Sequence, residues 1–359
     1  MPKVFVFSRA GDPNVLKQAG CELVIGKEEW LLPGGNNEPE MSRLAQNAHA
    51  LMGHSIRNSP ITRNILTASP ELRIVAKTTV GVDDIDVDAA TELGILVTHA
   101  PVESNWGNVA ENTVAYILAF AKRVRERDAE IKSGGWRRSD IRGFYVGSRG
   151  SDGYEGITLG IIGLGRIGGR VAQLMRPWNI RILAYDPHIP DYRFLEFGVK
   201  AVDKETLLRE SDFVTVHVVL NRETRHMIST NELAIMKRTA FLINTARGGT
   251  VDEAALAHAL ERDGIAGAAI DCFEVEPVPQ ESPLRRMGDK VILTPHGGLS
   301  MPRTAEGGLG GGPVWASESV LDALHGKVPD HVFNTEAIAL WQQRFGGKSV
   351  IEERARVTV

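Results

Sequence analysis

Residues 157–187 decide the fold of this chain, and they read ITLGIIGLGRIGGRVAQLMRPWNIRILAYDP. A short apolar run at Ile157–Ile162 is followed at once by the glycine-rich turn Gly163–Gly168. A helical pattern comes next, and then a second apolar run, Ile180–Tyr185, which stops at Asp186. The order of strand, glycine turn, helix, strand and acid is that of a dinucleotide-binding unit.

Each glycine of the turn has a physical task in such a unit. Gly163 permits the tight turn, Gly165 leaves the backbone open to a pyrophosphate, and Gly168 lets the helix approach the sheet. The N–H groups at the helix start would bind the phosphate charge. Asp186 would accept hydrogen bonds from the adenosine ribose, and its carboxylate would repel a 2′-phosphate, so NAD is favoured over NADP. Arg166 could contact phosphate, which weakens that preference slightly. The alternative is a glycine turn that binds nothing.

Length and composition exclude several classes of protein. A chain of 359 residues predicts two domains, and a net charge of −4 does not point to nucleic acid. The longest apolar stretch, Val114–Ala121, is too short to span a bilayer, and no secretory signal is expected. Cys21 and Cys272 form neither a metal-binding spacing nor a disulfide framework, so we expect no metal and a reducing, cytoplasmic location.

Apolar runs of strand length alternate with helical patterns along most of the chain. This alternation predicts an α/β protein with two doubly wound parallel sheets. The predicted strands of the first domain are Val4–Phe7, Leu23–Ile25, Ala50–Gly53, Leu72–Ala76 and Ile95–Thr98. Those of the second are 157–162, 180–185, 199–202, 213–217, 240–244, 266–270 and 291–294. The predicted helices among them are Asn14–Ala19, Arg63–Ala68, Val87–Leu93, 166–176, 204–210, 230–237 and 252–262.

Four segments do not follow this simple alternation. Asn108–Lys132 is predicted as one long amphipathic helix linking the domains, with an apolar first half that needs a large partner. Ser133–Gly156 is either an ordered surface loop or one that reaches a partner subunit. Leu31–Glu40 resembles a loop. The glycine run Gly307–Gly312 either delays the helix expected at Trp315–His325 or allows close backbone packing.

Three polar residues follow predicted strands, where open parallel sheets bind ligands: Arg247, Glu276 and His296. A histidine exchanges a proton near neutral pH, a neighbouring carboxylate favours the imidazolium, and an arginine matches a substrate carboxylate. Beside a nicotinamide, the three would form a site for hydride transfer at a 2-hydroxy acid. Taken singly, each residue has a structural alternative: His296 could be a core histidine, Glu276 could cap a turn, and Arg247 could form half of a surface ion pair.

From about Ala50 to about His325 the chain resembles the D-isomer-specific 2-hydroxyacid dehydrogenase family, which includes phosphoglycerate, glyoxylate/hydroxypyruvate and D-lactate dehydrogenases. The motifs that carry the resemblance are VGVDDID at Val80–Asp86, NVAENTV at Asn108–Val114, GLGRIG at Gly163–Gly168, NTARGG at Asn244–Gly249, DCFEVEP at Asp271–Pro277 and TPHGG at Thr294–Gly298. The loop after His217 departs from the pattern, because Val219 stands near a position where the family usually has proline.

The resemblance implies reversible, NAD-dependent hydride transfer between a 2-hydroxy acid and its 2-keto acid. His296 would protonate the keto oxygen during reduction, Glu276 would pair with His296, and Arg247 would hold the substrate carboxylate and carbonyl. The backbone at Val80 and Gly81 would also bind that carboxylate. The residues implied at the cofactor are Arg166, Ile167, Asp186, His217, Thr245, Ala246 and Asp271.

The resemblance also implies a domain plan. A Rossmann nucleotide domain at 108–299 would be inserted into a discontinuous, flavodoxin-like substrate domain at 1–107 and 300–359, and the protein would be a homodimer through the nucleotide domain. An NAD(H)-sensing protein, like the corepressors that share this fold, is the alternative from another class. Formate dehydrogenase chemistry on the same fold is a third reading, although the pairing of Glu276 with His296 argues for 2-hydroxy acids.

Lys77 is the one residue that bears on the identity of the substrate. It lies three residues before Val80, at the mouth of the expected substrate loop, where its ammonium could meet a second anionic group such as a phosphate. The alternative is a lysine paired with a surface acid. Otherwise the sequence leaves the 2-hydroxy acid and the physiological direction open.

Overall fold

The computed structural model describes residues 1–8, 13–27, 37–54, 60–101, 103–296 and 311–351. The chain divides into two compact units, each built on one parallel sheet. The first unit comprises Met1–Asn105 and Ser300–Val359, and the second comprises Trp106–Leu299.

Strands and helices alternate in both units, as the sequence predicts. The strands are β1 (Lys3–Val6), β2 (Glu22–Ile25), β3 (Ala48–Gly53), β4 (Ile74–Lys77), β5 (Leu96–Thr98), β6 (Thr158–Ile162), β7 (Arg181–Tyr185), β8 (Lys200–Ala201), β9 (Phe213–Val216), β10 (Phe241–Asn244), β11 (Gly267–Ile270) and β12 (Val291–Leu293). The helices are α1 (Pro13–Gln18), α2 (Glu38–Ala45), α3 (Arg63–Leu66), α4 (Val87–Glu92), α5 (Glu103–Lys122), α6 (Val124–Lys132), α7 (Arg166–Met175), α8 (Tyr192–Phe197), α9 (Lys204–Glu210), α10 (Thr230–Ile235), α11 (Glu253–Glu261), α12 (Gly311–Leu324) and α13 (Ile338–Phe345). Short 3-10 turns occupy Arg176–Trp178, Gly248–Thr250, Pro283–Arg286, Gly288–Lys290 and Thr335–Ala337.

In the first unit, the described strands form a five-stranded parallel sheet in the order β2-β1-β3-β4-β5. This is the flavodoxin-like order of a doubly wound sheet. Successive residues of β1 face opposite sides, so Phe5 packs with α2, α3 and α4, whereas Val4 packs with α1, α12 and α13. Apolar side chains on both faces explain why these strands read as continuous apolar runs.

The second unit contains, in the part of the chain that the structure describes, a seven-stranded parallel sheet in the order β12-β11-β10-β9-β6-β7-β8. The chain winds outward from β6 in both directions, which is the Rossmann order extended by one strand. Two apolar clusters cover its faces. The predicted α/β fold with two doubly wound parallel sheets is therefore confirmed. Ligands of such sheets bind beyond the carboxyl ends of the strands beside β6.

The predicted single helix at Asn108–Lys132 is wrong, because the structure has two helices there. Arg123 lies between α5 and α6 and adopts a left-handed conformation, with φ 51°. Its guanidinium forms an ion pair with Glu126 at 3.0 Å, and the Glu126 side chain is nearly buried. Part of the apolar face of α5 packs within its own unit, where the ring of Phe120 stacks on Phe241 at 4.6 Å.

The remaining irregular segments have mixed outcomes. Within 133–156, the Phe144 N–H donates to Ala121 O at 2.8 Å and Val146 is buried, so this stretch is ordered against the second unit. Of the predicted loop Leu31–Glu40, residues 31–36 lie outside the described residues, and α2 begins at Glu38. Residues 307–310 of the glycine run also lie outside them, and α12 begins at Gly311. None of the helices described here has the length and apolar character needed to cross a bilayer.

Candidate active site

The glycine turn after β6 has the geometry expected of a dinucleotide-binding turn. Gly163 has φ +90°, and a Cβ there would lie 2.8 Å from His217 O. A Cβ on Gly168 would lie 2.1 Å from Gly163 O, so only glycine permits this approach of α7 to the turn. A Cβ on Gly165 would meet no atom within 4 Å. The turn is therefore closed around Gly163 and Gly168 and open at Gly165.

The amino terminus of α7 lies next to this open space. The N-cap residue Gly165 has no side chain with which to cap the helix, whose first residues are Arg166 and Ile167, so its first N–H groups and its dipole can act on an anion. Asp186 joins the turn to the end of β7, because its Oδ2 accepts from the Leu164 N–H at 2.9 Å and its Oδ1 accepts from the His188 N–H at 3.0 Å. The turn, the helix start and the acid thus form one hydrogen-bonded arrangement.

His217 and Thr245 follow the neighbouring strands β9 and β10. The Nε2 atom of His217 lies 2.9 Å from Thr215 Oγ1, and its Nδ1 lies 3.5 Å from Thr245 Oγ1. The Thr245 hydroxyl is also 3.1 Å from the hydroxyl of Thr113 on α5. Burial lowers the pKa of His217 to about 3, so the imidazole is neutral at physiological pH. It can line a cofactor pocket without adding charge.

Asp271 follows β11 and is hydrogen-bonded to Thr294, which in turn contacts Tyr116; sequence reasoning missed both of these residues. Thr294 donates its hydroxyl hydrogen to Asp271 Oδ1 at 2.5 Å, and the Tyr116 hydroxyl lies 2.8 Å from Thr294 Oγ1. Burial raises the pKa of Tyr116, so its phenol keeps its proton. Thr294 stands beside His296 in the TPHGG motif, and this position was the signal from which its place in the site could have been predicted. For Tyr116 the sequence offers no signal beyond its place on the apolar face of the predicted helix.

The structure brings His296 and Glu276 into direct contact. Their Nδ1 and Oε1 atoms are 2.9 Å apart, and Glu276 Oε1 also accepts from the Phe273 N–H at 2.9 Å. The His296 side chain is 32% exposed and that of Glu276 is 13% exposed, so the pair is largely shielded from water and its imidazole is the more accessible partner. A carboxylate at Nδ1 fixes the ring orientation and stabilises the imidazolium. The Sγ atom of Cys272 lies 3.7 Å from the other ring nitrogen, Nε2.

Arg247 lies after β10, next to the buried Ala246. Its backbone carbonyl accepts from Asn244 Nδ2 at 2.9 Å and from Thr250 Oγ1 at 2.7 Å, and its guanidinium donates to Ala246 O at 2.7 Å. A Cβ on the following Gly248 would lie 1.9 Å from the carbonyl carbon of Phe273. The backbone carrying Arg247 therefore packs directly on the loop that carries Glu276.

The predicted substrate loop belongs to the first unit. Val80 and Gly81 form a half-buried turn after β4, in which Thr79 Oγ1 donates to Gly81 O at 3.3 Å and His99 Nδ1 lies 3.2 Å from Val80 O. Nothing in the structure tests their predicted role in binding a carboxylate, and it stays a prediction. Gly297 and Gly298 of the TPHGG motif lie outside the described residues.

The prediction for Lys77 is corrected by the structure. Its side chain is fully buried, and its ammonium donates to both carboxylate oxygens of Asp84, at 2.8 and 2.6 Å. Asp84 is itself buried, so the partner is not the surface acid of the alternative either. The physical reason is that burying an ammonium at the end of β4 requires a charged partner. Lys77 therefore does not present a charge at the mouth of the loop.

Comparison with known proteins identifies the family. Residues 114–298 match the model of the D-isomer specific 2-hydroxyacid dehydrogenase NAD binding domain. The chain is 37% identical over 313 residues to D-3-phosphoglycerate dehydrogenase of Methanocaldococcus jannaschii, covering 87% of this chain and 56% of the relative. It is 35% identical over 344 residues to glyoxylate reductase of Thermofilum pendens, covering 94% and 96%.

A solved structure supports the same conclusion. The crystal structure of D-lactate dehydrogenase from Aquifex aeolicus, complexed with NAD and lactic acid, superposes with a TM-score of 0.71 at 28% identity, covering 89% of this chain and 93% of that chain. The chain belongs to the D-isomer specific 2-hydroxyacid dehydrogenase family of oxidoreductases, and its second unit contains the NAD-binding domain. It spans little more than half the length of the phosphoglycerate dehydrogenase.

Proposed function

We propose that the protein transfers a hydride reversibly between NAD(H) and a D-2-hydroxy acid or its 2-keto acid, with His296 as the acid–base. The observation that carries this proposal is the 2.9 Å contact between His296 Nδ1 and Glu276 Oε1, in the unit that also holds the dinucleotide turn. A sensor of NAD(H) requires the turn but has no need of a carboxylate-supported histidine.

Bound NADH would supply the hydride for reduction, and bound NAD⁺ would accept the hydride during oxidation. His296 Nε2 gives a proton to the keto oxygen in reduction and takes the hydroxyl proton back in oxidation. Glu276 stabilises the imidazolium before the proton leaves and keeps the ring oriented while it is neutral. The guanidinium of Arg247 holds the substrate carboxylate and polarises the carbonyl.

The residues of the second unit fit this cofactor. The space open at Gly165, next to the start of α7, would accept a pyrophosphate, and Asp186, which is held beside this turn by the Leu164 N–H, would accept hydrogen bonds from the ribose hydroxyls. The neutral His217, together with Thr245, Ala246 and Asp271, would line the ribose and nicotinamide region. A carboxylate at position 186 favours NAD over NADP.

For the substrate we propose a small 2-keto acid with one negative charge. The buried Lys77–Asp84 pair removes the residue that favoured a second anionic group, such as a phosphate. The relative covered over 96% of its length is a glyoxylate reductase. Glyoxylate and hydroxypyruvate are therefore the first substrates to examine.

We also propose a homodimer through the second unit. Between α6 and residues 136–143 lies a groove of about 670 Å³, and the apolar side chains of Val124, Ile131 and Trp136 along it are 57%, 51% and 70% exposed. Covering such side chains with a second copy would stabilise the assembly. Trp136→Glu should convert a dimer to a monomer in light scattering, whereas a wild-type monomer would contradict the proposal.

The test of the activity is NADH oxidation followed by absorbance against glyoxylate, hydroxypyruvate, pyruvate, phenylpyruvate, 2-oxoglutarate and phosphohydroxypyruvate, with NADPH in parallel. Turnover of a small keto acid with NADH is the expected result. NADH binding without turnover of any keto acid would contradict the activity and favour the sensor.

A further inference from the structure

The thiol of Cys272 gives the acid–base pair a second use. It is almost fully buried, and ligand atoms of Cys272, Glu276 and His296 all lie within 4.8 Å of one another. We propose that Cys272 Sγ and His296 Nε2 bind a thiophilic divalent cation, with Zn²⁺ as the best fit, and that the bound ion inhibits the enzyme. This inhibition rests on the proposed role of His296, whereas the metal site itself does not.

The distance between the two ligand atoms suits one shared ion. Zinc lies about 2.3 Å from a thiolate sulfur and about 2.05 Å from an imidazole nitrogen. With those two bonds, the observed Sγ to Nε2 separation of 3.7 Å corresponds to an S–Zn–N angle of about 115°, close to the tetrahedral value. The separation of the two ligand atoms therefore already suits coordination of one shared ion.

Glu276 completes the arrangement from the other side of the ring. Its Oε1 contacts His296 Nδ1 at 2.9 Å, so Nε2 is the nitrogen that faces the thiol. A carboxylate on the second nitrogen of a metal-binding histidine orients the ring and raises its basicity. The same contact that supports proton transfer therefore also prepares the histidine for a metal.

The neighbouring backbone keeps the thiol in place. Cys272 Sγ–H donates to Ala246 O at 3.5 Å, a contact that is lost when the sulfur binds an ion. Binding converts the thiol to a thiolate, releases one proton to solvent and forms one Zn–S and one Zn–N bond. The remaining two positions are filled by water or by the oxygens of a 2-keto acid.

The exposure of the His296 ring allows an ion to reach the site, and the bound ion would block proton transfer. The His296 side chain is 32% exposed, so a cation can approach the imidazole from solvent, whereas Cys272 beside it is almost fully buried. An ion on Nε2 occupies the lone pair that would carry the proton, so His296 can no longer act as acid or base. Mg²⁺, which prefers oxygen ligands, should not compete for this site.

Cobalt binding tests the site without any substrate. Co²⁺ added to the purified wild-type protein should produce the near-ultraviolet charge-transfer band of a cobalt–thiolate bond. The band should disappear in Cys272→Ser and in His296→Gln and persist in Cys21→Ser, which changes the only other cysteine of the chain. No band in the wild type, or an equal band in Cys272→Ser, would overturn the proposal.

Zinc inhibition tests the consequence. Each rate with Zn²⁺ is divided by the rate of the same variant without it, so differences in basal activity cancel. We expect the half-inhibiting Zn²⁺ concentration to rise at least tenfold in Cys272→Ser and to stay unchanged in Cys21→Ser. A chelator should restore activity, and Mg²⁺ should have no effect.

The two experiments separate the two proposals. A cobalt band without turnover of any keto acid would refute the proposed activity and leave the metal site standing. Turnover with neither a cobalt band nor zinc inhibition would refute the metal site alone. Zinc inhibition that is equal in wild type and Cys272→Ser would place the inhibiting ion elsewhere and overturn the proposal.

Discussion

Glu276→Gln isolates the charge of the carboxylate that supports His296. The amide oxygen of glutamine can still accept from His296 Nδ1 and from the Phe273 N–H, so the shape of the site is kept and only the negative charge is lost. The native contact is 2.9 Å long and the Glu276 side chain is only 13% exposed, so water screens it little.

The expected loss follows from the strength of this contact. A hydrogen bond to a charged group contributes about 1.5–3 kcal/mol. If the imidazolium loses that stabilisation in the transition state of reduction, kcat/KM for the 2-keto acid falls roughly tenfold to 150-fold. Binding of NADH should be unaffected, because the dinucleotide turn is built from other elements.

The assay compares Glu276→Gln with a control in the same loop. Glu274→Gln makes the same change of charge two residues away, on a side chain that pairs with His226 and is 34% exposed. Initial rates of NADH oxidation should fall strongly in the first variant and less than about threefold in the second. Equal losses, or no loss in Glu276→Gln, would refute the reasoning from the charge.

Three further predictions concern the cofactor and stability. Asp186→Ala should lower the NADH-to-NADPH ratio of kcat/KM at least about tenfold; an unchanged ratio would place selectivity elsewhere. Lys77→Met should cost about 3–5 kcal/mol of unfolding free energy in urea, and adding Asp84→Leu should recover most of it; no recovery would contradict an ion pair. His217 has a folded pKa of about 3, below its ordinary 6.5, so the unfolded chain protonates first and stability falls as pH drops from 6.5 towards 3. His217→Gln should flatten that fall by up to about 1.4 kcal/mol per pH unit, and an unchanged slope in urea titrations would refute it.

The fold was predictable from the sequence because its signals are local. The run from Ile157 to Asp186 carries strand, turn, helix and acid within one short stretch, and the structure shows a steric reason for glycine at Gly163 and Gly168. The other strands are buried on both faces and therefore read as apolar runs. Helix α2 was missed because its amino terminus, with Pro39, looks like a continuing loop.

The break at Arg123 was not predictable, because the apolar periodicity continues across it. Arginine has no special preference for the left-handed conformation. In the structure, Arg123 adopts this conformation and forms an ion pair with the nearly buried Glu126. A pattern of apolar positions reports which face is buried, and it does not report where one residue changes the direction of the chain.

The candidate site was predicted as a set of residues, and its side-chain pairing was only partly predictable. The contact of His296 with Glu276 was implied by the family resemblance and is present. The proximity of Cys272 to His296, 24 residues apart, depends on the adjacency of β11 and β12. The burial of Lys77 depends on Asp84 folding back seven residues later. Such contacts arise from tertiary structure and leave no periodic signal.

The most direct test of the central claim is the reaction of His296→Gln compared with the wild type. NADH oxidation with the best 2-keto acid and NADH binding by fluorescence would be measured on the same preparations. General acid–base catalysis contributes about 10²–10⁴-fold, so kcat should fall by that factor while the Kd for NADH stays within about twofold. A variant that keeps most of its activity would contradict the assignment of His296 as the acid–base.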